Sequence, residues 1–527
     1  MLWKLASIVC LSAAGLPAQN PPFDVLITGA RVVDGTGAPW FQADIAIRGD
    51  RIAAIGHLRP ANAKLTVDGS GLVAAPGFID IHTHARRNIL SQPEAENYIR
   101  QGVTTLIEGQ DGSSPLPLAP FLSQVSAARP AANFAMLAGH GSIRGEVMGS
   151  QNRKATPAEI QKMKALMRQA MLDGALGLST GLFYVPGNYA PTEEVIELAR
   201  VAGEMGGIHI SHMRDEADKV LDSVLETIRI GEEGRLPTQV THHKIIGAGN
   251  WGKSAETLRQ IEEARRRGVD VTIDQYPYTA SSTGTAALFP QWALEGGRKS
   301  LAERLSPPES RARIKKEIIR RIREDRGGGD PANVMLANCP FDESLAGKSL
   351  ADVTRARHQR VTLEDAAETA IEIQQKGGCQ AVYHAISEAD VERILRSPFT
   401  MVASDGEIPV FGKGAPHPRS YGTFARILAR YVREKNVLSL EEAVRKMSSF
   451  PAARAGLHDR GVLKTGTYAD IVLFDPAKVR DRADFKNPHQ FAEGFLHVIV
   501  NGQAVILGGK LTGTRPGRVL YGPAHRR

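Results

Sequence analysis

Short runs in which apolar and polar residues alternate occur at both ends of the chain. Gly-containing turns separate the runs, as is typical of short strands in a small β-structure. The N-terminal runs are Asp24–Ala30, Gln42–Arg48, Arg51–Gly56 and Leu65–Val67, and the C-terminal runs are Asp470–Phe474, His497–Val500 and Ala504–Leu507. We predict that residues 22–74 and 455–523 form one β-domain together.

Between these ends, apolar strand-like runs alternate with stretches that have the periodicity of helices. The helical stretches include Pro157–Leu172, Pro191–Met205, Lys219–Glu233 and Ala255–Arg267. Such alternation predicts a parallel α/β architecture, and residues 75–454 are numerous enough for an eight-stranded (β/α)8 barrel.

A charged segment from Gln291 to Asp352 interrupts the alternation. It follows Tyr276-Pro277-Tyr278, where the loop after a barrel strand should face the active site. We therefore predict that residues 291–352 are an inserted helical flap that lies over the barrel mouth and excludes water from it.

The first residues, Met1–Gln19, have the pattern of a secretory signal peptide: an early cation, an apolar stretch and small residues before the end. The alternative is a frayed hydrophobic N-terminus. Export to the periplasm or the cell exterior is the favoured expectation. The remaining cysteines, Cys339 and Cys379, can pair in an oxidising compartment, although two cysteines do not make a disulfide scaffold. No later apolar run is long enough to predict a membrane span.

The formal net charge of +8 raises the question of a nucleic-acid partner. From Arg298 to Arg326, eleven Lys or Arg stand against five Asp or Glu, so most of the excess is local. Within this stretch Ile314, Ile318 and Ile322 fall at helical spacing. A solvated amphipathic helix is favoured over a site for an anionic partner, and no nucleic-acid partner is predicted.

The segment Phe78–His84 predicts a strand that ends in His82-Thr83-His84. Side chains two apart on a strand lie on one face, so both imidazoles can reach one metal ion. His-x-His is common by chance and indicates little alone.

Three more candidates end or follow apolar runs that resemble strands: His212, His242 and Asp405. Barrel enzymes place their chemistry at strand ends, and imidazoles with carboxylates are the ligands that Zn²⁺ takes in hydrolases. The set predicts a metal centre. Three further histidines are equally well explained as core residues: His209, His243 and His384.

Six motifs together resemble the N-acyl-D-amino-acid deacylase family of the amidohydrolase superfamily over nearly the whole mature chain. They are His82-Thr83-His84, Ser211-His212-Met213-Arg214, Thr241-His242-His243-Lys244, Asp274-Gln275-Tyr276-Pro277-Tyr278, Ser404-Asp405-Gly406 and His417-Pro418-Arg419. The resemblance implies a metal-binding (β/α)8 barrel beside a β-sandwich made from both chain ends, with zinc as the usual metal.

Carried over to this chain, the resemblance assigns His82 and His84 to one metal position (position one), His212 and His242 to another (position two), and Asp405 to the catalytic aspartate. It also implies that Lys244, Tyr276 or Tyr278, and Arg419 bind the substrate carboxylate.

One position departs from the family pattern. After Val103-Thr104-Thr105 the family has a metal-binding cysteine, whereas this chain reads Leu106-Ile107-Glu108-Gly109-Gln110-Asp111. Counting from the threonines places Asp111 in the cysteine position, with Glu108 as the rival. A carboxylate can also ligate or bridge Zn²⁺.

The predicted function is hydrolysis of the amide bond in a small N-acyl-D-amino acid, with one or two zinc ions. Zinc lowers the pKa of a bound water to roughly 7, and Asp405 is the candidate that accepts its proton and passes it to the leaving amine. The alternatives are another amidohydrolase, such as a cyclic-amide hydrolase or a dipeptidase, and a catalytically inactive binding protein.

Overall fold

The computed structural model describes residues 22–58 and 62–525. The expected signal segment, Met1–Gln19, lies outside these ranges. The strands are β1 (Phe23–Val32), β2 (Phe41–Arg48), β3 (Arg51–Gly56), β4 (Ala63–Asp68), β5 (Val73–Pro76), β6 (Phe78–Asp80), β7 (Val103–Glu108), β8 (Asn133–Met136), β9 (Ala138–Gly139), β10 (Gly177–Gly181), β11 (Ile208–His212), β12 (Thr238–Val240), β13 (Val271–Gln275), β14 (Ala280–Gly284), β15 (Val334–Asn338), β16 (Gln380–His384), β17 (Thr400–Val402), β18 (Ile471–Phe474), β19 (Phe495–Val500), β20 (Gln503–Leu507) and β21 (Lys510–Leu511).

The α-helices lie mostly between the barrel strands and in the insertion. They are α1 (Glu96–Ile99), α2 (Leu118–Ala128), α3 (His140–Met148), α4 (Pro157–Asp173), α5 (Thr192–Glu204), α6 (Val220–Gly234), α7 (Ser254–Arg266), α8 (Gln291–Leu294), α9 (Gly297–Leu305), α10 (Pro308–Arg321), α11 (Leu350–His358), α12 (Leu363–Gln375), α13 (Glu388–Arg396), α14 (Arg419–Arg426), α15 (Leu440–Met447) and α16 (Ser449–Arg454). No helix within the described ranges combines the length and apolarity needed to cross a bilayer.

Both chain ends contribute to one nine-stranded sheet, in the order β21-β20-β19-β18-β5-β1-β2-β3, with β4 paired to β1. The two ends meet where β5 and β18 pair antiparallel, with Ala74 opposite Leu473. Ile27, Ile45 and Ile471 are fully buried in the core of this β-domain. Burial of inward-facing residues from both ends is what joins the two ends in one unit.

The predicted limit of the β-domain at residue 523 needs correction. The last strand ends at Leu511, and the tail that follows runs beneath the barrel. There Phe134 N donates to Arg518 O at 2.9 Å, and Leu520 N donates to Phe134 O at 2.7 Å. Leu520 packs against the apolar cluster of the barrel interior, which includes Ile79 and Leu137.

Eight parallel strands form the barrel: β6, β7, β8 with β9, β10, β11, β12, β13 and β17. A parallel bridge between Thr83 and Gly406, just beyond β6 and β17, closes the ring. The fold class predicted from the alternation of strands and helices is confirmed.

Helix α4 shows how local sequence sets an element. Thr156 caps it, in a capping box with Glu159, and Pro157 occupies the first turn. Gly174 ends it with φ 114°, where a side chain would meet the ring of Tyr521. The turn therefore depends on glycine both for its backbone angle and for the approach of the tail.

The insertion differs from the helical flap predicted at residues 291–352. It extends from β14 to β16, and these strands form an antiparallel sheet with β15 in the order β14-β16-β15. The helical prediction missed this sheet because the pairing of β14 with β16 joins residues about a hundred positions apart. The insertion has its own apolar core and a disulfide between Cys339 and Cys379.

The amphipathic helix predicted in the basic stretch is confirmed as α10 and the turn after it. Ile314, Ile318 and Ile322 are fully buried in the core of the insertion. Two of its arginines pair with carboxylates, Arg311 with Glu368 and Arg320 with Glu317 at 2.8 Å.

Candidate metal centre

The ends of five barrel strands bring six predicted site residues together. They are His82 and His84 after β6, Asp111 after β7, His212 at the end of β11, His242 after β12 and Asp405 after β17. Three of them have left-handed backbones: Asp111 with φ 56°, His242 with φ 36° and Asp405 with φ 50°. Such conformations cost about 1 to 3 kcal/mol each in non-glycine residues and cluster at functional sites.

Asp111 lies at the centre of the cluster. Its Oδ1 atom is 3.3 Å from Nδ1 of His212, 3.5 Å from Nε2 of His242 and 3.6 Å from Nε2 of His82. Its Oδ2 atom is 3.5 Å from Nε2 of His84. The carboxylate is therefore shared between position one and position two.

The donor atoms form two groups that share Asp111. One contains His82, His84 and Asp405, and the other contains His212 and His242, with the ligand atoms of each group within 4.8 Å of one another. Ligands around a tetrahedral Zn²⁺ at 2.0 to 2.1 Å are about 3.3 Å apart, close to the separations around Asp111. Nε2 of His82 and Oδ1 of Asp111 are buried and have no hydrogen-bond partner within the described chain. The residues fit a zinc centre.

The charges of the cluster keep its carboxylates ionised. Burial acts to raise the pKa of Asp111, but His212, His242 and His84 outweigh it and hold the pKa well below its usual range. Burial has the same effect on Asp405, where Arg419, His82 and His84 together lower the pKa. Two anions beside four imidazoles make a donor set suited to a divalent cation.

Glu108, the rival carboxylate, points to a different partner. It accepts a hydrogen bond from the backbone N of Arg86 at 3.1 Å, and its Oε1 atom lies 3.7 Å from Nε of Arg86. It belongs to neither group of donor atoms. Asp111, not Glu108, therefore stands at the predicted position.

Lys244 does not face the cavity as a free cation. It is 5% exposed and pairs with Glu216, and its Nζ atom lies 2.7 Å from Nδ1 of His242. Its Nζ atom also lies 5.6 Å from the centroid of the Tyr276 ring, and the assignment of Lys244 to the substrate carboxylate stays a prediction. Glu216 carries no sequence signal that singles it out, apart from its place four residues after His212 in the same strand-end loop.

Arg419 lies at the catalytic aspartate, with Nη1 2.7 Å from Oδ2 of Asp405, and it lines the cavity. The ring of Tyr276 packs against it, with the guanidinium carbon 4.8 Å from the ring centroid. The hydroxyl of Tyr276 is buried without a hydrogen-bond partner among the described residues.

Tyr278 contacts different residues from Tyr276. Its ring stacks against Arg426, and its hydroxyl donates weakly to the carbonyl of Pro418 at 3.5 Å. Of the two tyrosines predicted as alternatives for substrate binding, Tyr276 therefore lies against Arg419 and Tyr278 against Arg426.

Two of the three additional histidines, His209 and His243, are fully buried, and His384 is half-buried. His209 lies between the hydroxyls of Thr180, at 3.0 Å, and Thr238, at 2.8 Å. His243 contacts the hydroxyl of Thr257 at 2.8 Å, and His384 packs edge-to-face on Phe485. None of the three belongs to a donor group found in the described residues.

A cavity of about 760 Å³ opens above the cluster. Barrel loops contribute His84, Asp111, Asp405 and Arg419 to its wall. The insertion contributes Ser282, Asn338 and Gln380, so the inserted sheet lies at the barrel mouth. A volume in this range suits a small organic ligand.

Comparison with known proteins agrees with this geometry. The model of a family described as "Amidohydrolase family" matches residues 65–398 and 340–506. A D-aminoacylase of Alcaligenes xylosoxydans xylosoxydans is 39% identical over 95% of this chain and 98% of its own length, and an N-acyl-D-glutamate deacylase of the same organism is 37% identical over 94% and 96%. The crystal structure of an N-acyl-D-glutamate deacylase from Bordetella bronchiseptica, complexed with zinc and a phosphonate mimic of the tetrahedral intermediate, superposes with a TM-score of 0.82 at 36% identity, over 95% of this chain and 100% of that chain.

Proposed function

The chain belongs to the N-acyl-D-amino-acid deacylase family of amidohydrolases, and from this we propose that it hydrolyses N-acyl-D-amino acids to a carboxylic acid and a free D-amino acid with zinc as cofactor. The observation that carries the proposal is the convergence of four histidines, Asp111 and Asp405 at the barrel mouth. These donors stand beneath a cavity large enough for an N-acylated amino acid.

His212, His242 and Asp111 would hold zinc in position two, and His82, His84 and the shared Asp111 in position one. When bound, zinc supplies Lewis-acid activation of the scissile carbonyl and of water. Neither a serine nor a cysteine nucleophile is required.

Asp405 is the proton carrier of the reaction. It faces the cavity, and Arg419 and the histidines keep it ionised, so it can accept a proton from the water that attacks the acyl carbon. The C–N bond then breaks as Asp405 returns this proton to the departing amine nitrogen. One water is consumed, and the carboxylate of Asp405 is regenerated.

Arg419 and Tyr276 are the proposed partners of the substrate α-carboxylate. Arg419 lines the cavity beside the proton carrier, and the hydroxyl of Tyr276 has no partner within the described chain. Because the guanidinium of Arg419 packs on the ring of Tyr276, the guanidinium and the tyrosine hydroxyl are fixed relative to each other. Together they can hold a carboxylate in a single orientation.

A panel of N-acetyl-D- and N-acetyl-L-amino acids tests the proposal. The zinc-loaded protein should release amine from D substrates with a preference over their L forms, and Asp405→Asn should not. Metal analysis should find zinc in the purified protein. Failure of the zinc-loaded protein to hydrolyse any member of the panel would contradict the proposal.

We also propose export of the chain. The signal-like pattern of Met1–Gln19 supports it, as does the pairing of Cys339 with Cys379, because disulfides persist mainly in oxidising compartments. Fractionation of cells that express the full chain should place the enzyme outside the cytoplasm, with a mature N-terminus near residue 20. Retention of the intact N-terminus in the cytoplasm would overturn this proposal.

A further inference from the structure

Glu216 is a buried carboxylate that contacts His242 and lies near His212, the two histidines of position two. It is 5% exposed and lies in the loop after β11. Its Oε1 atom is 3.1 Å from Nδ1 of His242, and its Oε2 atom is 3.9 Å from Nε2 of His212. Asp111 lies near the other nitrogen of each ring, Nε2 of His242 and Nδ1 of His212. Glu216 and Asp111 therefore face opposite sides of the two imidazoles.

Lys244 competes with Glu216 for the ring of His242. Its Nζ atom lies 2.7 Å from the same Nδ1 atom and also donates to the carbonyl of His242 at 2.9 Å. An ammonium only donates hydrogen bonds, so a bond from Lys244 to Nδ1 places the ring proton on Nε2. A carboxylate only accepts them, so a bond from Nδ1 to Glu216 leaves the Nε2 lone pair free.

We propose that Glu216 is the positioning residue of position two: it holds the proton of His242 on Nδ1 and aims the lone pair of Nε2 at the metal position. Metal-binding histidines commonly depend on such a partner for ring orientation and tautomer. Lys244 has the complementary task of neutralising the buried carboxylate, with which it forms an ion pair.

The inference rests on the proposed function only in requiring a zinc site. A measurement of zinc affinity therefore tests it without any substrate. Metal-free protein is titrated with zinc against a chromogenic chelator. We compare Glu216→Met, Lys244→Met and the double variant, since methionine approximates the length of both side chains. Asp470→Asn is the matched control, because Asp470 is also buried and ion-paired, to Arg460, but lies near the β-domain.

Glu216→Met should bind zinc about 10 to 100-fold more weakly, the usual cost of removing such a partner. The double variant should regain part of this loss, because it removes the cation that favours the wrong tautomer. Asp470→Asn should keep the wild-type affinity. In the cobalt-substituted protein, Glu216→Met should alter the visible spectrum. Asp470→Asn should leave the spectrum as it is in the wild type.

Wild-type affinity in Glu216→Met, or a double variant that binds no more tightly than Glu216→Met, would overturn the assignment. If Glu216→Met does not fold, Glu216→Gln takes its place in the same comparison, since it keeps the shape of the side chain. Either result leaves the hydrolysis of N-acyl-D-amino acids as a separate question, which the substrate panel answers.

Discussion

The carboxylate of Asp405 and the guanidinium of Arg419 form a buried ion pair, with Oδ2 2.7 Å from Nη1. Arg419 is thus placed to serve two roles, keeping the proton carrier ionised and meeting the substrate carboxylate. The two roles can be separated by experiment, because only one of them depends on the charge of the substrate.

Arg419→Ala should reduce kcat/KM by roughly 10 to 150-fold, the equivalent of losing one charge-assisted hydrogen bond of about 1.5 to 3 kcal/mol. Removing the cation also raises the pKa of Asp405, so the acidic limb of the kcat/KM profile should move to higher pH. The measurement is a pH profile on an N-acyl-D-amino acid and on its uncharged amide analogue. A limb that does not move would argue against the ion pair, and an equal loss on both substrates would argue against carboxylate recognition.

Asp405→Asn should lower kcat by about 10² to 10⁴-fold, the usual contribution of a positioned proton carrier. Zinc bound at position two should remain, since His212, His242 and Asp111 are intact. Steady-state kinetics beside metal analysis checks both parts. Retention of wild-type kcat would mean that another group carries the proton.

Asp111 should be required for metal binding, because its carboxylate is shared by both donor groups. Asp111→Ala should lose most bound zinc, whereas Asp111→Cys, which restores the residue of the family pattern, should retain it. Glu108→Gln is the control and should keep its zinc content. If Asp111→Ala keeps full zinc, the carboxylate is not a ligand.

Lys446 predicts a pH effect on stability far from the site. It is fully buried, and burial lowers the pKa of its ammonium from 10.5 to about 8. Below pH 8 the side chain of Lys446 is protonated in both the folded and the unfolded protein, and the buried charge destabilises the folded state. Between pH 8 and 10.5 only the unfolded state keeps the proton, so the free energy of unfolding should rise with pH by about 3 kcal/mol.

The measurement compares the wild type with Lys446→Met by denaturant unfolding across this pH range. The rise should appear in the difference between the two proteins, because other titrating groups cancel. A flat difference would show that Lys446 titrates normally in the folded state.

The disulfide between Cys339 and Cys379 should stabilise the insertion by about 2 to 4 kcal/mol, as expected for a closed loop of this size. Cys339 follows Asn338 and Cys379 precedes Gln380, and both Asn338 and Gln380 line the cavity. Cys339→Ser/Cys379→Ser should therefore lower the Tm and raise KM more than it lowers kcat. Unchanged Tm and KM would mean that the inserted sheet holds its shape without the bond.

Local pattern predicted the parts of the molecule that depend on neighbouring residues. The β-strands at both ends and helices α4 to α7 follow from periodicity, and His82, His212 and Asp405 were selected because they end apolar runs. Asp111 was placed by counting from two threonines. These residues lie together because parallel strands deliver their ends to one rim of the barrel.

The features that the sequence did not reveal depend on contacts between distant positions. The pairing of Lys244 with Glu216 and the packing of Tyr278 under Arg426 are tertiary contacts that no local period encodes. The sheet of the insertion was not predicted because β14 and β16 are about a hundred residues apart, with charged helices and β15 between them.

The tail that carries Leu520 beneath the barrel has a consequence for how the protein is made. Its hydrogen bonds to Phe134 and the packing of the partly buried Leu520 close the base of a barrel whose first strand begins at Phe78. Strand β5 likewise pairs with β18, which is synthesised some four hundred residues later. A nascent chain on the ribosome therefore lacks both a floor and a completed sheet, so native structure should be reached only after release, and truncation by as few as ten C-terminal residues should yield an aggregation-prone product.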